Sequence, residues 1–159
     1  VTVRLATGLD AEAVAAIWNH YIRDTAATFN SQEKTDAEVA DLITGRPAFF
    51  VAVDQDRIAG FATYGPFRGG IGYARTKEHT IMLAPDVSGR GHGRALMRAV
   101  EDHARAGGTH SMFAGVSGEN PEGRAFHARL GYVETAVLPA VGWKFGRWMD
   151  LVLMQKFLA

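Results

Sequence analysis

The chain of 159 residues contains no cysteine. That absence excludes disulfides, a thiolate nucleophile, a cysteine acyl-enzyme and cysteine-ligated zinc. A surplus of one charge is also missing, since 17 Lys and Arg balance 17 Asp and Glu. Neither a broad basic surface for nucleic acid nor a polybasic membrane patch is expected. No apolar run is long enough to span a bilayer. The first residues lack the basic region and apolar stretch of a secretory leader, so a cytoplasmic location is the expectation. The six histidines show no ligand spacing such as His-Glu-x-x-His, and no metal is expected. No linker, repeat or low-complexity tract interrupts the sequence. With 47% hydrophobic residues, residues 1–159 read as a single α/β domain with a full core.

The most informative segment runs from Ile81 to Leu96. A β-rich apolar run stops at Pro85. A loop follows with glycine at alternate positions, Gly89, Gly91 and Gly93, and an apolar-periodic helix begins at once. Such a loop turns backbone N–H groups toward one point at a helix N-terminus, where partial positive charge collects. Arg90 and Arg94 add charge. The chemistry fits a phosphate or pyrophosphate. The spacing excludes the Walker loop, which needs Gly-Lys-Ser/Thr, and the Gly-x-Gly-x-x-Gly dinucleotide fingerprint, whose last glycine would fall on Arg94 or Leu96.

Elsewhere, periodicity and capping signals predict a regular alternation. Val3 and Leu5 suggest a short strand. Asp10 reads as the N-cap of a helix with Val14, Ile17, Trp18, Tyr21 and Ile22 on one side. Thr35 to Glu38 reads as a capping box before a short helix. Strands are expected at 48–53, 57–64 and about 77–84, with an irregular loop at 66–72. The helix after the glycine loop ends at Gly107-Gly108. A strand at 110–117, a helix capped by Asn120 with Pro121 in its first turn, and strands near 132–138 and 148–157 complete the chain. This order predicts a mixed central sheet flanked by helices.

The glycine loop resembles motif A of the GNAT acetyltransferases, Gln/Arg-x-x-Gly-x-Gly/Ala. Gly91 and Gly93 fill the small positions and Ser88 replaces the first residue. The element order matches the GNAT fold along essentially the whole chain. The resemblance implies acetyl-CoA as co-substrate. Gly89, Arg90, Gly91, His92, Gly93 and Arg94 would cradle its pyrophosphate. Backbone groups of Ile81, Met82 and Leu83 would line the pantetheine arm, and Asn120 would contact it as well as capping its helix.

Residues 73–83 resemble the phosphinothricin and methionine sulfoximine/sulfone branch, near Tyr-Arg-x-Thr-x-Glu-x-Ser/Thr-Val-Tyr-Val. Ala74 replaces the arginine, with Arg75 one residue later, and Met82 replaces the aromatic. Further matches are Trp18 to Tyr21, Thr25 to Phe29, the Ser117 to Asn120 stretch and Val141 to Asp150. The resemblance implies an N-acetyltransferase for the α-amine of a small amino acid or analogue, by direct transfer. Glu78 would be the base and His127 would assist thiolate departure. Phe29, Tyr73, Arg75, Glu78, Thr80 and Phe145 would meet the substrate. A homodimer is also implied. Two alternatives remain open: another amine class, such as a protein N-terminus, a polyamine or an aminoglycoside, or a non-catalytic acyl-CoA-binding sensor.

Overall fold

The computed structural model describes residues 2–87 and 90–159. Ser88 and Gly89 of the glycine loop lie outside the described residues. Chain order is β1 Thr2–Leu5, α1 Ala11–Asp24, α2 Asp36–Gly45, β2 Ala48–Asp54, β3 Arg57–Pro66, β4 Thr76–Leu83, α3 His92–Ala106, β5 Ser111–Ser117, α4 Pro121–Arg129, β6 Val133–Lys144 and β7 Arg147–Phe157. This is the alternation the sequence predicts. Short 3-10 turns at Gly8–Asp10 and Ile71–Tyr73 were not anticipated.

Local chemistry explains most boundaries. Thr35 and Glu38 form the reciprocal capping box of α2. Asn120 accepts from Gly123 N–H at the head of α4, with Pro121 in its first turn. The expectation for Asp10 needs correction. Its side chain does not cap α1. Thr7 caps the preceding 3-10 turn, and Asp10 closes that capping box while pairing bidentately with Arg4 at 2.8 and 2.9 Å. The carboxylate is thereby committed to the guanidinium and the Thr7 N–H.

The seven strands form one sheet in the order β1-β2-β3-β4-β5-β7-β6. Every neighbouring pair is antiparallel except β4 and β5. That parallel pair holds only from Thr76 to His79 against Ser111 to Ala114. Farther along, β4 stays with β3 up to Leu83 and β5 stays with β7 up to Ser117. The sheet therefore splits, and Thr80–Leu83 and Gly115–Ser117 flank the gap.

Two cores cover the two faces. Met82 packs with Trp18, Ile22, Phe49 and Phe61 beneath α1 and α2. Ile81 and Leu83 pack with Leu96, Val100 and Met112 beneath α3. Side chains alternate along a strand, so Glu78 and Thr80 belong to the α1–α2 face and His79 to the α3–α4 face.

The last two strands are longer than expected. Pairing is interrupted between Leu138 and Gly142 and then resumes. Ala140 sits there with a φ of 52°, and such a bulge hides the continuing alternation from a reading of the sequence. The hairpin closes through Phe145 and Gly146, at φ 54° and 73°, the signature of a tight two-residue turn.

Candidate active site

The split opens into a cavity of about 710 Å³, within the usual range for small-molecule sites. Its walls are the diverging strand ends, the segment from Thr25 to Phe29 after α1, and the head of α4. Ala84 N–H donates to Ala59 O on β3. Antiparallel pairing alternates, so the backbone groups of Met82 and Thr80 also turn to β3. Those of Ile81 and Leu83 turn toward the gap. The Leu83 carbonyl is already occupied, accepting from the Tyr21 hydroxyl at 2.5 Å. The N–H groups of Ile81 and Leu83 remain as donors on the cleft side.

Glu78 stands at one end of this cleft. Its half-buried carboxylate makes no hydrogen bond or ion pair among the described residues. Gly115 leaves the room it uses, because a Cβ there would lie 2.9 Å from Oε2. Burial raises the Glu78 pKa, opposed by the charge of Arg46. A carboxylate that gains basicity by desolvation yet faces open space is suited to accepting a proton.

The neighbouring residue has the opposite fate. His79 is buried, and its Nε2 lies 2.9 Å from Nε2 of His127, across on α4. Nδ1 of His127 lies 2.7 Å from the Gly123 carbonyl. A carbonyl only accepts, so a neutral His127 carries its proton on Nδ1. Its Nε2 then accepts from His79 Nε2–H, which leaves His79 Nδ1 near the Phe113 backbone without an aligned hydrogen bond. Burial lowers both imidazole pKa values, and for His79 the second ring lowers it further. The pair is therefore neutral, and neither nitrogen of His127 is free to face a ligand.

The other sequence-predicted residues divide between the cavity and its surroundings. Phe29, Thr80, Ile81, Met82, Leu83 and Asn120 line the cavity with Glu78 and His127. Arg90, Gly91, His92, Gly93 and Arg94 lie beyond the Val87 end, opening α3. Gly91 is its N-cap with a φ of 81°, a conformation that favours glycine. His92 points inward, 3.1 Å from the Asp54 carboxylate without hydrogen-bond alignment. Gly89 lies outside the described residues. Tyr73, Arg75 and Phe145 are exposed and outside the cavity lining. Tyr73 stacks under Arg68, Arg75 offers its carbonyl to His110 N–H, and Phe145 occupies the β6–β7 turn.

Sequence reasoning missed the residues that hold the walls. Lys144 is buried, and its ammonium donates to the carbonyls of Tyr21, Thr25 and Thr28 at 3.3, 2.6 and 2.8 Å. Three N–H groups meet three acceptors. The ring of Phe29 lies against Gly142, where any Cβ would collide with it. The same hairpin holds the opposite wall through Arg147 on Glu119 and Gly118 N–H on Asp150 O. The unusual composition of Val141 to Asp150 was the available signal, although its partners are distant in sequence.

A cleft cut through a split sheet, with a half-buried carboxylate on one face and a glycine-capped helix beyond, has room for an extended ligand. Residues 14–132 match the Acetyltransferase (GNAT) family, and the chain belongs to it. It is 38% identical to the L-amino acid N-acyltransferase MnaT of Escherichia coli (strain K12), over 98% of this chain and 92% of that protein. It is 36% identical to an L-methionine sulfoximine/L-methionine sulfone acetyltransferase of Salmonella typhimurium, over 98% and 93%. The Salmonella typhimurium protein yncA, solved with its cofactor acetyl-CoA, superposes with a TM-score of 0.95 at 34% identity, covering 99% of this chain and 94% of that one.

Proposed function

We propose that this acetyltransferase moves the acetyl group of acetyl-CoA to the α-amine of a small amino acid or analogue. The methionine sulfone, methionine sulfoximine and phosphinothricin type is the first candidate. The observation that carries the reading is the half-buried Glu78 carboxylate, unpaired among the described residues, at the mouth of the split between β4 and β5.

The described residues fit the co-substrate. The backbone edges of Ile81 and Leu83 can meet the amides of a pantetheine arm. The left-handed Gly91 opens α3 beside the Val87 end of the cleft. Asn120 uses its oxygen on Gly123 N–H, leaving its NH₂ for a ligand. Acetyl-CoA supplies an activated acyl carbon. The role of Glu78 is to take the proton released as the amine becomes an amide. The Ile81 and Leu83 N–H groups face the region where charge develops on the acyl oxygen. His127 would assist thiolate departure only if its pairing with His79 opened. Departure as the thiolate, a modest base, does not require it. The exposed apolar row of Val137, Val141, Trp143 and Trp148 supports a homodimer through β6–β7.

A second reading also has an observation behind it. Among the described residues, Glu78, Glu119 and Glu122 line the cavity and no Lys or Arg does. That lining would suit a polyamine or another cationic amine. Thiol release from acetyl-CoA, measured with methionine sulfone, phosphinothricin and no acceptor, separates the two. Saturable release with either amino acid is expected. Release at the blank rate with both, while acetyl-CoA still binds, would overturn the amino-acid reading.

A further inference from the structure

An amino acid brings its carboxylate within one carbon of the attacking amine. In a cavity whose charged lining is acidic, that carboxylate needs a cation close to Glu78. Arg75, the arginine nearest to that need in the sequence, and Arg46 both lie outside the cavity lining, and of the two it is Arg46 whose charge reaches Glu78.

Arg46 stands on the other side of Glu78. It follows the last residue of α2 and is half-buried. Its guanidinium lies over Gly65, with Nη1 3.0 Å and Cζ 3.7 Å from where a Cβ would be. Gly65 is the cross-strand partner of Glu78. Side chains of paired residues share a face, about 5 Å apart, so Arg46 lies alongside Glu78 on the α1–α2 face. A Cβ at position 65 would crowd Nη1, so glycine there leaves the guanidinium its room against the sheet. Among the described residues, the guanidinium donates no hydrogen bond and joins no ion pair. Meeting a ligand in the cavity requires the guanidinium to swing there from Gly65 by a change of rotamer.

We propose that Arg46 is the specificity residue for this reaction: its guanidinium receives the carboxylate, or an equivalent anionic group, adjacent to the amine that Glu78 deprotonates. This rests on the amino-acid reading above and narrows it to acceptors with an anion next to the amine. A planar guanidinium takes a carboxylate bidentately, which a lysine does not. The Coulombic influence of Arg46 on Glu78 agrees with the placement. A bound substrate carboxylate would offset that influence and leave Glu78 more basic when the amine is in place.

The test compares methionine sulfone with its carboxamide and with the amine lacking the carboxyl group. Wild-type protein, Arg46→Ala and Arg46→Lys are each assayed for kcat and KM, with acetyl-CoA affinity measured separately. In Arg46→Ala, KM for the acid is expected to rise roughly 10- to 100-fold. KM for the carboxamide and the affinity for acetyl-CoA should stay unchanged. Arg46→Lys should recover part of the loss. An acid-to-carboxamide ratio in Arg46→Ala equal to that of wild type would overturn the role of Arg46 while leaving the amino-acid reading intact. Wild-type turnover of the amine lacking the carboxyl group, but not of the acid, would overturn both.

Discussion

Glu78 and His79 are consecutive residues on one strand, and the sheet sends them to opposite environments. On the α1–α2 face, Glu78 has no partner among the described residues and looks into a cleft. On the α3–α4 face, His79 is sealed against His127. Both are titratable and displaced from their ordinary pKa in the direction burial dictates, toward the neutral form. For the carboxylate, this displacement creates a better base beside open space. For the imidazoles, it produces a neutral pair whose hydrogen-bonding capacity is turned inward. Proximity to the cleft is thus not enough for a chemical role: a nitrogen or oxygen must also be free.

Replacing Glu78 with Gln should break this contrast most severely. The variant keeps the shape and removes the proton acceptor, so kcat should fall by roughly 10²- to 10⁴-fold. Wild-type kcat/KM should rise with pH through the raised Glu78 pKa, because the ionised form is the active one. The variant should lose that limb of the profile. A Glu78→Gln enzyme with full turnover at neutral pH would remove Glu78 from the base role.

The next effect concerns how the Glu78 face is held. Lys144→Met leaves three carbonyls without their donor, at a cost of about 2 kcal/mol or more. Chemical denaturation should register the loss. Steady-state kinetics should show KM for the amine rising several-fold as the Thr25 to Phe29 wall loosens, with acetyl-CoA affinity preserved. Equal loss of both affinities would mean that the hairpin supports the whole fold rather than that wall.

The histidine face gives a smaller, pH-dependent signal. The folded-state pKa values of His79 and His127 lie below the ordinary imidazole value of 6.5. The unfolded chain therefore binds more protons as pH falls through about 6.5, and stability declines below it. For His79, pushed down to about 3, the slope can approach ~1.4 kcal/mol per pH unit. Thermal unfolding from pH 8 to pH 5 should show this decline, and the His79→Phe/His127→Phe double variant should flatten it. The smallest effect belongs to the exposed pair of Arg147 with Glu119. Arg147→Ala should leave Tm within about a degree, since Gly118 N–H on Asp150 O still holds that wall.

Much of the frame was legible. Thr35 with Glu38, and Asn120 with Pro121, are local signals, and each marks the helix start it predicts. Asp10 misled because Thr7 offered a competing cap and Arg4 a competing charge. Position at the start of a strand did not by itself mark Glu78; the resemblance of residues 73–83 to the acetyltransferase branch did. Arg75 and Arg46 could not be ranked by sequence, because distance along the chain says nothing about which guanidinium lies beside Glu78.

The sequence by itself determined the element order, the glycine-opened helix, the absence of a cysteine nucleophile and the family. Those depend on periodicity, capping and local backbone freedom, which act over a few residues. Only the tertiary structure decided that β4 and β5 part after His79, that His127 spends both nitrogens, that Lys144 pins a wall more than a hundred residues away, and that Arg46 stands beside Glu78. Those depend on strand register and on which buried polar groups find partners, and both are settled only when distant segments pack together.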